Sequence, residues 1–302
     1  MIDILIKSMG FILIICLGYL LKVKRFLSLE DGKAISRLVI NVTLPCALIL
    51  STREINVSAE LFILLFVGFF SNCLLLFLGY MQGRHFDSIL KGQSIIQLAG
   101  FNVGNFAFPF VQSFFPIQYG VSVILFDIGN AIMVFGGNYA LSSSISGIGE
   151  KLSFRGLIKT LLHSVPFCTY LVCFILSLLK WTIPDSIVSV IKLGADANPF
   201  LAMLSLGTMV DLSINKSQIK ELFQLLASRL LLTFLIIAIL NLLPISSIAK
   251  EMVTICLLAP IAVVTPIFAQ KLGSSSSTPA NVSTLSIFSS ILLMMIAILV
   301  FH

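Results

Sequence analysis

Apolar runs of about 20 residues recur from one end of this chain to the other, separated by short polar breaks. Each run is long enough to cross a hydrocarbon layer of about 30 Å as a helix. The pattern predicts ten spans, at 2–21, 34–52, 60–82, 94–115, 118–140, 157–179, 187–210, 221–243, 247–270 and 281–301. The fold class expected is an all-α integral membrane protein with ten transmembrane helices.

Two spans depart from the pattern. The stretch AGFNVGNFAFPFVQSFFP, Ala99 to Pro116, lies within the fourth run yet holds two Asn, two Gly, a Gln and two Pro. Gly and Pro in a membrane helix free backbone N–H and C=O groups, each costing several kcal/mol if left facing lipid. Such a break belongs in the protein interior or at a water-filled cavity, where the amides of Asn102 and Asn105 can donate and accept hydrogen bonds. APIAVVTPIFAQ, Ala259 to Gln270, repeats the theme in the ninth run with Pro260, Thr265 and Pro266.

The irregular positions recur at a nearly fixed offset. Pro45 and Pro199 lie 154 residues apart in the second and seventh runs, and Pro109 and Pro266 lie 157 apart in the fourth and ninth. The chain therefore reads as two five-span halves, 1–141 and 157–302, joined by a Ser- and Gly-rich cytoplasmic linker at 142–156. Five is an odd number, so the second half enters the membrane from the opposite side, which makes an inverted repeat. Discontinuous helices in matching places of two halves point to a substrate site near the midplane, and half-helix N-termini there suit a carboxylate. The competing explanation is a pair of prolines that merely kink helices for packing.

Composition agrees with the pattern. Of 302 residues, 58% are hydrophobic and 11% charged, and mean hydropathy is +1.08, far from a soluble domain. The first run is not read as a cleaved signal, since Asp3 precedes it and no small-residue cleavage site follows before Lys22. All six Cys fall in apolar runs without metal-ligand spacing and read as small interior or lipid-facing residues. The net charge of +6 sits at the ends of the runs rather than on a soluble patch, so no nucleic-acid partner is expected. One set of alternating loops carries thirteen Lys or Arg and the other four. The richer side is expected to be cytoplasmic, which places both termini on the non-cytoplasmic side of a cell membrane. Trp181 and Tyr119, at outer ends of runs, suit interfacial anchoring.

Few charges lie inside the runs. Asp127 stands nine residues into the fifth, about 13 Å deep at about 1.5 Å per residue, and is read either as a proton or cation coupling residue or as a structural partner of Asn130. Arg229, in the eighth, is expected at an interface or in a structural role rather than on an anion. Asp196 is a weak candidate beside Asn198 and Pro199, and His163 reads as a satisfied interior histidine.

The spacing Asn102, Gly104, Ala107, Pro109 resembles the N-x-G-x-x-G-x-P motif in the fourth helix of the auxin efflux carrier family, within the bile acid, auxin and arsenite transporter superfamily. RLVINVTLPCALIL, which carries Asn41, resembles the family's second helix, VILFDIGNAI its fifth, ANPFLAMLSLG its seventh, and APIAVVTPIFAQKLG with VSTLSIFSS its ninth and tenth. The resemblance covers nearly the whole chain. It implies two inverted five-helix repeats in which helices four and nine cross at unwound centres, and transport of small organic anions such as malate, malonate or auxin-like acids. It makes Asn102, Gly104, Asn105, Pro109, Pro260, Thr265, Pro266 and Asn41 candidate substrate-binding residues, with Asp127 and Asn130 as candidate coupling residues. The chain departs from the family at Ala107, where Gly is usual, and at Val264, where an Asn is common. It also lacks a long cytoplasmic loop of the plant type.

The function expected is a secondary transporter of small carboxylates working by alternating access. An anion leaving a negative interior gains about 2.3 kcal/mol per charge per 100 mV, so efflux needs no coupling ion, whereas uptake would use H+ or Na+. A sodium- or proton-coupled symporter or antiporter of the bile acid type is the alternative, and a receptor or channel is the alternative of another class. No cofactor is expected, and a homodimer is left open. Neither H-E-x-x-H, nor a facing carboxylate pair, nor a Walker A loop is present, which argues against an intramembrane enzyme or an ATP-driven pump.

Overall fold

The computed structural model describes residues 2–53, 59–148, 154–179, 181, 183–210 and 218–301. Among the described residues all regular structure is helical. Helix α1 is Ile2–Val23, and α2 (Leu29–Leu38) continues through a π-helical turn, Val39–Thr43, into α3 (Leu44–Ser51). After α4 (Ala59–Gln82), α5 (Ser88–Leu98) unwinds before a second π turn, Val103–Ala107, leads into α6 (Phe108–Phe114). Helix α7 (Gly120–Ile132) passes through a third π turn, Met133–Gly137, into α8 (Asn138–Ser146). The rest comprises α9 (Phe154–Leu162), α10 (Val165–Leu178), α11 (Asp185–Met209), α12 (Ile219–Leu242), α13 (Ser247–Leu257), α14 (Thr265–Lys271) and α15 (Thr278–Phe301).

Among the described residues, eight helical stretches are long and apolar enough to cross a membrane, and nine if α9 and α10 form one span. The chain is a multi-pass membrane protein. Three of the ten expected spans are broken or sharply bent, the fourth at the unwinding after α5. The sixth, expected at 157–179, bends by 83° between α9 and α10, because Ser164 caps a new helix through Phe167 N and Pro166 stands in its first turn. The ninth, expected at 247–270, is two helices of 11 and 7 residues, each too short to cross alone. The linker expected at 142–156 begins within α8, and its residues 149–153 lie outside the described residues, as do Lys151, Lys180 and Lys216 of the charge count.

The prolines set the local irregularities. A proline ring clashes with the carbonyl four residues back and supplies no N–H. Before Pro45 and Pro109 the helix answers by widening one turn, so that Leu44 N bonds to Val39 O and Phe108 N to Val103 O. Pro199 stays inside α11, and the Ala195 carbonyl that it leaves free accepts from Gln112 Nε2 at 2.7 Å. Asn198 extends this chain, donating to Gln112 Oε1 at 3.1 Å and accepting from Thr43 Oγ1 at 2.9 Å. A buried polar line thus joins α11 to the second span and to α6.

Packing between helices relies on glycine at two close crossings. A Cβ on Gly207 would lie 2.0 Å from Ile15 O, and one on Gly18 2.4 Å from Leu204 O, so α1 and α11 meet backbone to backbone. The same reciprocal fit joins α4 to α7, where a Cβ on Gly129 would lie 2.0 Å from Leu65 O and one on Gly68 2.1 Å from Phe126 O. Without a hydrophobic drive between helices in lipid, such contact supplies much of the association energy. Gly129→Leu is therefore expected to destabilise the protein by about 1–3 kcal/mol or more through overpacking. Thermal melting in detergent should show a clear fall, while Gly10→Ala, whose Cβ meets nothing within 4 Å, should melt like the parent.

Candidate functional site

The two broken spans meet in the interior. Residues 99–102 separate α5 from the π turn, and residues 258–264 separate α13 from α14. Asn102 N donates to Pro260 O at 2.9 Å, which ties one unwound backbone directly to the other. Thr265 Oγ1 adds a bond to Ala99 O at 3.2 Å. Gly100 adopts φ +88°, and a Cβ there would lie 3.0 Å from both Ala262 Cβ and Val134 Cγ2. Only glycine takes that conformation and that closeness without strain.

Side chains from neighbouring helices satisfy the groups that the breaks expose. Asn130 of α7 donates through Nδ2 to Phe101 O at 2.9 Å and accepts through Oδ1 from Phe101 N at 3.1 Å, as a neighbouring strand would. Its Oδ1 also accepts from Asn72 Nδ2 at 3.1 Å. Arg229 of α12 is 3% exposed. It donates to Leu98 O and, at 2.9 Å, to Gly100 O, with its guanidinium 4.8 Å from the Phe101 ring centroid. A cation at the carbonyl end of a half-helix is favourably placed against the helix dipole. Across the second break, Ile261 N donates to Ser286 Oγ at 3.0 Å.

A cavity of about 170 Å³ opens against this crossing. The second span contributes Ser36, Ile40 and Leu44, α7 contributes Asp127 and Asn130, α10 contributes Phe167 and Tyr170, and the second break contributes Ala262, Val263 and Val264. The first break and its π turn supply Phe101 to Asn105. Polar atoms on this wall remain unpaired: Asn102 Nδ2 and Asn105 Oδ1 are buried without a hydrogen-bond partner, although Asn105 Nδ2 donates to Ser36 Oγ at 3.3 Å. An unmade bond from a buried polar atom costs about 1–3 kcal/mol, so these atoms are poised for a ligand or water. Asp127 accepts from Asn130 Nδ2 at 2.9 Å on Oδ1 and from the Tyr170 hydroxyl at 2.7 Å on Oδ2. Gly104 passes beside it, where a Cβ would lie 3.9 Å from Asp127 Oδ2 and 3.1 Å from Leu44 Cδ2.

Of the residues singled out in the sequence, Asn102, Gly104, Asn105, Asp127 and Asn130 line this one cavity. Pro260 and Thr265 hold the crossing together rather than line it, Pro109 is buried one turn beyond, and Pro266 begins α14. Asn41 lies elsewhere: it is exposed and its amide bonds back to Arg37 O at 2.8 Å. Ser36, Ile40 and Leu44 face the cavity, and a neighbouring position on a helix points about 100° away. His163, expected in the interior, is exposed at the bend after α9, with Nδ1 2.7 Å from Lys159 O. Asp196 is exposed too and pairs with Lys192 at 2.7 Å. Sequence reasoning passed over Tyr170, a phenol in the middle of an apolar run.

No protein-family model matches the chain. It is 25% identical over 233 residues to an uncharacterized transporter of Methanothermobacter thermautotrophicus, an alignment covering 75% of this chain and 74% of that protein. That likeness and the helical membrane architecture together support transport in general.

The interior role of Arg229 gives a direct test. Arg229→Leu leaves the Leu98 and Gly100 carbonyls unpaired, and at about 1–3 kcal/mol each the loss should lower stability by about 2–6 kcal/mol. Arg229→Lys, which keeps the charge but not the forked donor geometry, should lose less. Chemical or thermal denaturation of the purified protein reads the difference, and equal stability of parent and Arg229→Leu would exclude this role.

Proposed function

We propose that the chain is a secondary transporter of small organic anions, which binds a carboxylate at the crossing of its two broken spans and works by alternating access. The observation that carries this reading is the unpartnered Asn102 Nδ2, a buried donor on the wall of a cavity that otherwise offers mainly apolar and aromatic surface. A carboxylate brings acceptors without the cost of a second cation, and a bond to a charged partner contributes about 1.5–3 kcal/mol. Arg229 stands behind Phe101 and biases the local potential toward an anion. The helical run from Val103 to Phe114 begins at the same wall and turns the positive end of its dipole toward it.

The auxin efflux carrier resemblance, with its two inverted five-span halves, fits this reading. In it α13 and α14 together make a tenth span, the basic loops face the cytoplasm of a cell or inner membrane, and both termini face out. The apolar lining favours a carboxylate with a hydrocarbon or aromatic body.

Proton coupling is a second reading with its own support, because Asp127 lines the same cavity. Two like charges about 6 Å apart repel by about 3 kcal/mol at an effective dielectric constant of about 20. A bound anion therefore favours the neutral carboxyl at Asp127, and anion and proton would move together. Flux of labelled mono- and dicarboxylates in proteoliposomes, with imposed pH and voltage gradients, tests both readings. Asn102→Ala should weaken substrate affinity about 10- to 100-fold, the equivalent of about 1.5–3 kcal/mol. Asp127→Asn should keep saturable flux but lose its response to the pH gradient. Absence of flux for every carboxylate under every gradient would remove the anion reading.

A further inference from the structure

We propose that Tyr170 is the gate of the translocation path: it seals the large cavity from a smaller one toward the opposite face, and its hydroxyl moves from Asp127 to a bound carboxylate as the path opens. The proposal rests on the transport reading and names how the same site is controlled.

The second cavity, of about 40 Å³, is bounded by Thr52, Ile124, Ile128, Tyr170, Cys173 and Phe174 among others. Tyr170 is the residue that this lining shares with the large cavity. From a common boundary at Asp127, Ile128 and Tyr170 the two spaces extend toward opposite ends of α7 and α10. Along α10 the large cavity is lined from Ser164 to Phe167 and the small one from Cys173 to Ser177. Along α7 the small cavity takes Val121 to Ile128 and the large one Asp127 to Ala131, reaching Val134 and Phe135 past its end, so the two linings meet at Asp127 and Ile128. Phe167 and Cys173 stand six residues, about 9 Å, apart along α10, and Tyr170 between them lines both spaces, so its side chain forms the barrier. Tyr170, 4% exposed, stands within it.

The pair at the barrier has one fixed and one movable partner. Asp127 is held on Oδ1 by Asn130, which is itself bonded to both backbone groups of Phe101. Tyr170 holds the other oxygen from α10, a helix that starts at the 83° bend after α9. A bend of this kind is where a helix can pivot. The Tyr170 hydroxyl has a single proton to donate, and an incoming carboxylate presents the same acceptor chemistry as Asp127. Substrate binding at the crossing therefore competes directly for the bond that keeps the barrier closed.

Cys173, 5% exposed on the far side of Tyr170, reports the state of the gate without any substrate. In a variant with the other five Cys replaced by Ala, reconstituted in vesicles, a membrane-impermeant cationic methanethiosulfonate is added on the side of the large cavity. Tyr170→Ala should raise the rate of Cys173 modification from that side by about 10-fold or more. Tyr170→Phe, which keeps the ring and loses the bond to Asp127, should raise it by about threefold and remains informative if the alanine variant does not fold. The same reagent on a variant retaining only Cys73, packed against Leu76, Ile95 and Met133 and outside both linings, controls for general loosening. Unchanged modification in both Tyr170 variants, or equal increases at Cys173 and Cys73, would overturn the gate. Because the readout needs no carboxylate, its failure is separate from failure of the anion reading.

Discussion

The cost of an unpaired backbone group away from water governs the centre of this protein. Unwinding a helix inside the membrane exposes N–H and C=O groups that lipid cannot satisfy. Here each break pairs with the other through Asn102 N and Pro260 O, and side chains complete the set. Asn130 takes both groups of Phe101, Arg229 takes the carbonyls of Leu98 and Gly100, Thr265 takes that of Ala99, and Ser286 takes the N–H of Ile261. These partners come from α7, α12, α14 and α15, so a large part of the helix arrangement serves the crossing.

Once that requirement is met, what remains unpaired acquires meaning. Asn102 uses its backbone N–H to hold the crossing and leaves its side-chain Nδ2 buried and unpartnered beside the cavity that the residue lines. One residue thus joins fold and proposed binding. Asp127 stands in the complementary position, fully engaged by Asn130 and Tyr170 yet facing the same space. The arrangement explains why a segment of high apolarity tolerates so many polar residues: within it they face backbone and cavity, not lipid.

Much of this was legible in the sequence where a residue type is costly in lipid. Pro109, Pro260 and Pro266 marked the breaks, and Asn102, Asn105 and Asp127 marked the polar wall beside them. Less legible were features that depend on distance between helices. The bend before Val165 hides inside an apolar run, since hydropathy carries no direction and Ser164-Val165-Pro166 alone reads as a minor irregularity. Asn41 and Ser36 are both polar positions of the second span, and only the π-turn register at Val39–Thr43 decides that Ser36 faces the cavity while Asn41 does not. Arg229 could have snorkelled to an interface, and its inward reach becomes clear only when the carbonyls of α5 are in place. Tyr170 gave no signal by spacing, because its partner Asp127 lies 43 residues away on another helix.

The central claim is that the crossing binds a carboxylate through Asn102, and binding can be measured without transport. Purified protein in detergent would be titrated with a panel of aliphatic and aromatic carboxylates while its thermal unfolding is followed, in parallel for the parent and Asn102→Ala. Ligand that binds only the folded state stabilises it by RT ln(1 + [L]/Kd) and so raises the unfolding temperature as its concentration climbs past Kd. The account predicts a concentration-dependent rise for at least one carboxylate in the parent, shifted to about 10-fold or higher concentration in Asn102→Ala. Equal shifts in both proteins, or none for any carboxylate, would contradict it.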